Sequence, residues 1–186
     1  MRSIFVGIIL ASGAALVTFV KASPQQPSPS ATPENAHVVS TFSFDVAAPI
    51  AKVAPLFAPE AERSWAGEHW NPVFAHPQPG RDIEGAVFTV KHGPFNSVWV
   101  NTVFNIESGR MQYVAVVADK FAMTVDVQVT AMDPDHARVK VTYTRTALDP
   151  LLNEDVKSMA KDDKASGPDW QHGIESALGL ERKSNP

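Results

Sequence analysis

From Phe88 to Leu148 apolar and polar residues alternate almost without interruption, and after Asp149-Pro150 the spacing becomes helical and stays so nearly to the C-terminus. Period-two alternation gives each strand one dry and one wet face, which demands a sheet covered on one side. The only long amphipathic element available to cover it is the terminal helix. A curved antiparallel sheet closed by one long helix is how a small domain encloses an apolar space. The pattern therefore points to an α+β helix-grip fold that holds an apolar molecule.

Strands are expected over 37–47, 85–92, 97–107, 111–118, 121–132 and 137–148, about six in all. The connections Gly93-Pro94-Phe95-Asn96, Ser108-Gly109, Asp119-Lys120 and Asp133-Pro134-Asp135-His136 each carry Gly, Pro or Asp, which suits hairpins in a meander. In the fifth strand Phe121, Met123, Val125, Val127 and Val129 share one face, and Thr124, Asp126, Gln128 and Thr130 the other. After the first strand, Pro49 is placed to start a short helix whose Ile50, Val53, Ala54 and Phe57 fall on one side. Pro59 opens a second one through Trp65. The segment 67–85 is broken by Pro72, Pro77, Pro79 and Gly80 and reads as a loop bearing aromatics.

At the C-terminal end, Asp149 is expected as N-cap with Pro150 at N1. Leu152, Val156, Met159 and Ala160 form a stripe that Ser166-Gly167-Pro168 interrupts. Ser166 and Asp169 have capping-box spacing, and Trp170, Ile174, Ala177 and Leu178 resume the stripe. The expectation is one kinked helix or two in succession. Asp162-Asp163 and Asp133/Asp135 read as solvated surface.

Residues 1–22 have the form of a secretory signal: Arg2, an apolar run, and Val20-Lys21-Ala22 before the cleavage point. An uncleaved membrane anchor is the competing reading, at the short limit of a span. Residues 23–36, with Pro24, Pro27, Pro29 and Pro33, form a Pro-rich flexible linker; 37–181 is the folded domain and 182–186 a tail. Losing Arg2 and Lys21 leaves 14 basic against 20 acidic residues, a balance of −6. That charge and the lack of a basic block argue against nucleic acid as partner. With no cysteine, disulfides, thiolate nucleophiles and cysteine zinc sites are excluded. Export without disulfides leans towards a bacterial envelope, so the expected place is periplasmic or secreted.

The candidate ligand-binding residues are Trp65, Trp70, Phe74, Phe88, Trp99, Tyr113, Met123, Trp170 and Ile174. Trp65, Trp70 and Phe74 either frame a cavity mouth, with indole N–H groups free to orient a ligand, or plug the end of the core. Trp99, Tyr113 and Trp170 either line the cavity or are plain core. His69, His92 and Arg145 are possible polar groups of the pocket; the alternative is that they reach solvent from strand ends. No His-Glu-x-x-His run, Gly-x-Ser-x-Gly elbow or Gly-rich phosphate loop occurs, and His69 and His76 lack close metal spacing, so no catalytic residue, metal or cofactor is assigned.

The segments Ala48-Pro49-Ile50-Ala51-Lys52-Val53, Trp65 with Gly67-Glu68-His69-Trp70-Asn71-Pro72, Gly85-Ala86-Val87-Phe88, Val98-Trp99-Val100, Val141 to Leu148, and Trp170 together resemble the SRPBCC superfamily, also called START-like or Bet v 1-like, and in particular its small bacterial members related to polyketide cyclases. The resemblance covers roughly 37–180, and the Ser166-Gly167-Pro168 break departs from that family's uninterrupted closing helix. It implies a cavity between sheet and helix. Its functional expectation is a carrier of a lipid-like, polyketide-like or aromatic molecule. A cyclase or dehydratase helped by His69, His92 or Tyr113 is the first alternative, and a module that docks a protein through the aromatic loop is the second.

Overall fold

The computed structural model describes residues 34–180. The expected signal at 1–22, the linker up to residue 33 and the tail at 182–186 lie outside the described residues. The strands are β1 (His37–Val46), β2 (Val73–His76), β3 (Val87–His92), β4 (Phe95–Asn105), β5 (Arg110–Val117), β6 (Phe121–Asp133) and β7 (His136–Ala147). They form one antiparallel sheet in the order β1-β7-β6-β5-β4-β3-β2. Helix α1 (Ile50–Val53) runs into a 3-10 turn at Ala54–Phe57, and a second 3-10 turn follows at Ala61–Ser64. After β7 come a 3-10 turn at Pro150–Leu152 and helices α2 (Asn153–Ala165) and α3 (Gly167–Ala177), which lie over β1 and β7. This is the helix-grip architecture that the alternation implied.

Register explains why one face is dry. Phe42 pairs with Val141 and Phe44 with Val139 across β1 and β7, and Val127 and Val129 continue the rows on β6. Met111 and Tyr113 on β5 and Trp99 on β4 extend them to the far side. At one end of this concave face Val46, Val53, Phe57, Met111, Val129, Val139 and Ile174 are fully buried. Each side chain of that size is worth about 1.5–3 kcal/mol when taken out of water. Gly109 makes the tight approach there possible: its φ is +67°, and a Cβ would lie 2.1 Å from the Val129 carbonyl oxygen.

The sheet has seven strands rather than six. The extra one, β2, falls inside the segment read as a loop. Its four residues are too few to show alternation among the prolines, and only pairing with β3 (Phe74 opposite Phe88) makes it a strand. Pro49 is the N-cap of α1, not its first residue. Asp149 caps as expected, its carboxylate accepting from the Leu151 N–H at 2.8 Å. The Ser166/Asp169 box does not form: Ser166 Oγ donates back to the Asp162 carbonyl, ending α2 instead of starting α3. Ala177 is exposed because α3 reaches its C-cap at Leu178.

Asp163 is the largest departure. It is buried on the inner face of α2, one turn beyond Ala160, where it accepts hydrogen bonds from Arg145 and, at 2.8 Å, from Ser40 Oγ. The sequence reading put this carboxylate on the surface because isolated charges usually lie there. A partner arriving from another element reverses that expectation.

Candidate functional site

At the other end of the concave face the core does not close. A cavity of about 480 Å³ lies between the sheet and α3, bounded by the turn at Ala61–Ser64. All four tryptophans of the chain (Trp65, Trp70, Trp99 and Trp170) line it. The floor is Tyr113 and Val117 of β5, Phe121, Met123 and Val125 of β6, and Tyr143 and Arg145 of β7. Exposed Asp169, in the first turn of α3, stands at the mouth.

The aromatic rings form two walls. On the α3 side Trp65 meets Trp170 edge-on at 5.0 Å, and Trp170 meets Phe42 at 5.3 Å. On the sheet-edge side Trp70 meets Trp99 at 5.3 Å, and Phe88 stacks on Trp99 at 6.0 Å. The Tyr113 hydroxyl donates to the Phe57 carbonyl and ties the second wall to the first. Gly173 sets the spacing of the α3 wall: a Cβ there would come within 2.9 Å of the Trp65 carbonyl oxygen, so only glycine lets the helix lie this close.

Most polar atoms around the cavity are already engaged. The indole N–H groups of Trp65 and Trp70 donate to the Leu56 and Pro59 carbonyls, at 2.7 and 2.8 Å. Trp99 Nε1 donates to Ser97 Oγ, which itself donates to the Val90 carbonyl. These indoles fix the walls and are not free to orient a ligand, contrary to the sequence expectation for Trp65 and Trp70. Arg145 is paired with Asp163, and its guanidinium lies against the Tyr143 ring, 4.6 Å from the centroid.

Around the cavity the Glu62 carboxyl, the Tyr143 hydroxyl, Trp170 Nε1 and Arg145 Nε have no hydrogen-bond partner among the described residues. Glu62 is only 8% exposed, and the turn at Ala61–Ser64 that carries it is held by its own backbone bonds. Burial, with the Asp82 carboxylate as a second cause, pushes the Glu62 pKa well above the usual carboxylate range. Burial likewise raises the Tyr143 hydroxyl, and the Asp163 carboxylate adds to it. In both groups the shift favours the neutral form, since a buried lone charge is costly.

Of the residues singled out from sequence, Trp65, Trp70, Trp99, Tyr113, Met123, Trp170 and Arg145 meet around the cavity. Phe88 and Ile174 are fully buried behind it, and Phe74 packs on Phe88 at 5.5 Å; these three support the walls and do not line the space. His69 is exposed and away from it, at the tip of the 65–72 loop. His92 ends β3, and its side chain lies outside the described ones. Sequence reasoning missed Glu62. The signal was its three-residue spacing from Trp65, which stacks the two on one side of a 3-10 turn.

This architecture is the Bet v 1-like helix-grip fold, seven curved strands gripping a C-terminal helix. Similar solved structures include a protein from Thermobifida fusca (20% identity, TM-score 0.58, covering 79% of this chain and 97% of that one). Norcoclaurine synthase from Thalictrum flavum is another (13% identity, TM-score 0.58, covering 92% and 100%). Ara h 8.0201 is a third (12% identity, TM-score 0.52, covering 77% and 99%). No family model matches the chain, and no curated protein does. At these identities the likeness establishes the fold.

Proposed function

We propose that the protein binds an apolar small molecule of aromatic character in the cavity between sheet and α3, and serves as its carrier. The observation that carries this reading is the convergence of all four tryptophans on one unfilled space of about 480 Å³ in an otherwise close-packed interior. The indoles of Trp65, Trp70 and Trp99, pinned by hydrogen bonds, present apolar area with little conformational entropy to lose on binding. Export through the N-terminal segment would place the carrier in the periplasm or outside the cell.

Because every tryptophan faces the cavity, intrinsic fluorescence reports occupancy directly. Native mass spectrometry of protein purified from its host should show a bound mass, and titration with lipid and aromatic libraries should quench the emission saturably. Absence of both would remove the carrier reading.

A further inference from the structure

The lining of the cavity has no unpaired cation. Its one basic group, Arg145, is committed to Asp163. Its two remaining carboxyl groups, Asp169 at the mouth and Glu62 inside, have no basic partner among the described residues. Glu62 is the more telling of the two. It is more than nine-tenths buried and its carboxyl has no hydrogen-bond donor; the indole N–H groups of Trp65, Trp70 and Trp99 and the Tyr113 hydroxyl are spent on Leu56, Pro59, Ser97 and Phe57. Glu60, two residues earlier, has Arg63 at 2.7 Å, so the only arginine of this turn is also used elsewhere.

Resting on the carrier reading above, we infer that the ligand is a lipophilic amine whose ammonium pairs with Glu62 while its apolar body fills the space between the tryptophan walls. The amine supplies the missing positive charge. The rings of Trp65 and Trp170 add cation–π attraction, which favours ammonium over a neutral polar head. Asp169 at the entrance and the net acidic chain draw cations in and repel anions. The titratable groups set against Glu62 from neighbouring elements are Asp82, Tyr113, Tyr143, the Arg145–Asp163 pair and Asp169. None of them offers an uncommitted positive charge.

The test compares three probes with one shared body (phenylbutylamine, phenylbutanol and phenylbutyrate) on the full chain at neutral pH, by tryptophan quenching and calorimetry. The amine should bind about tenfold or more tighter than the alcohol, the difference a charge-assisted hydrogen bond makes. The carboxylate should bind most weakly. Burial favours the protonated Glu62 and an ammonium favours its carboxylate, so amine binding should also release protons; the heat then varies with the ionisation enthalpy of the buffer. In Glu62→Gln the amine should fall to the level of the alcohol and proton release should vanish, while alcohol binding persists and shows the cavity intact. Should that variant not fold, the amine-to-alcohol ratio and the proton release of the unaltered protein decide alone. Equal binding of amine and alcohol, or a Glu62→Gln variant that keeps its amine preference, overturns the amine inference and leaves the carrier reading standing. If none of the three probes binds, the amine inference falls, and the carrier reading falls with it only when the native mass and the library titration are negative as well.

Discussion

The two ends of the concave face are made from the same alternating strands, yet one is solid and the other hollow. At the solid end Val129, Val139, Met111 and Ile174 share one core cluster with Val53 of α1 and leave no accessible surface. At the hollow end Met123, Tyr143, Trp65 and Trp170 keep a face open to the cavity. What differs is the kind of residue opposed to the strands. Small branched side chains interdigitate and collapse onto one another. Indoles held by hydrogen bonds to Leu56, Pro59 and Ser97 are braced and cannot fall inward. The hollow is thus sustained by polar anchoring of apolar groups, and the polar atoms left unanchored, Glu62 and Tyr143 among them, are the ones available to a ligand.

The hollow end also holds the Arg145–Asp163 pair, and breaking it should have the largest effect. Asp163→Ala strands a buried guanidinium and is expected to cost about 3–5 kcal/mol in urea unfolding, whereas joint replacement by Arg145→Met and Asp163→Leu recovers most of that loss. A single-variant loss near zero would mean that the pair is not buried in solution.

The next contrast sets one end directly against the other. Ile174→Ala empties packed space and should cost about 2–5 kcal/mol. Met123→Ala faces a void that already lacks partner atoms on one side, and should cost less than about 1 kcal/mol. Equal losses would show that the hollow end is closed in solution.

The smallest effect is one of slope. Folded Glu62 keeps its proton to higher pH than the unfolded chain, where the group ionises near 4.5. Its stabilising contribution is therefore complete below that value and declines as pH rises towards the folded pKa. Glu62→Gln lacks this decline, so the urea midpoint of the variant should gain on that of the unaltered protein from about pH 4.5 upward. Parallel curves would place Glu62 in water.

Most of the fold was legible because alternation and helical spacing are local signals that register merely aligns. β1 and β3 to β7, the Asp149 cap and the break at Ser166-Gly167-Pro168 could all be read this way. β2 could not, since its only strand credential is a partner, β3. The site was legible as a set of tryptophans and as the inward parity of Tyr113, Met123 and Arg145. Whether a given aromatic faces the void or the core was not: Phe88 and Trp99 are cross-strand neighbours on the same face, yet only Trp99 reaches the cavity.

By itself, the order of residues determined a sheet dry on one side, a helix to cover it and a surplus of aromatic area near its mouth. Only the tertiary structure decided that Asp163 would be buried with Arg145, that Gly173 would bring α3 against Trp65, and that Glu62 would face inward with no counter-charge. Periodicity depends on residues a few positions apart. A charge pair, a close approach or an unmatched carboxyl depends on groups that only the folded chain brings together.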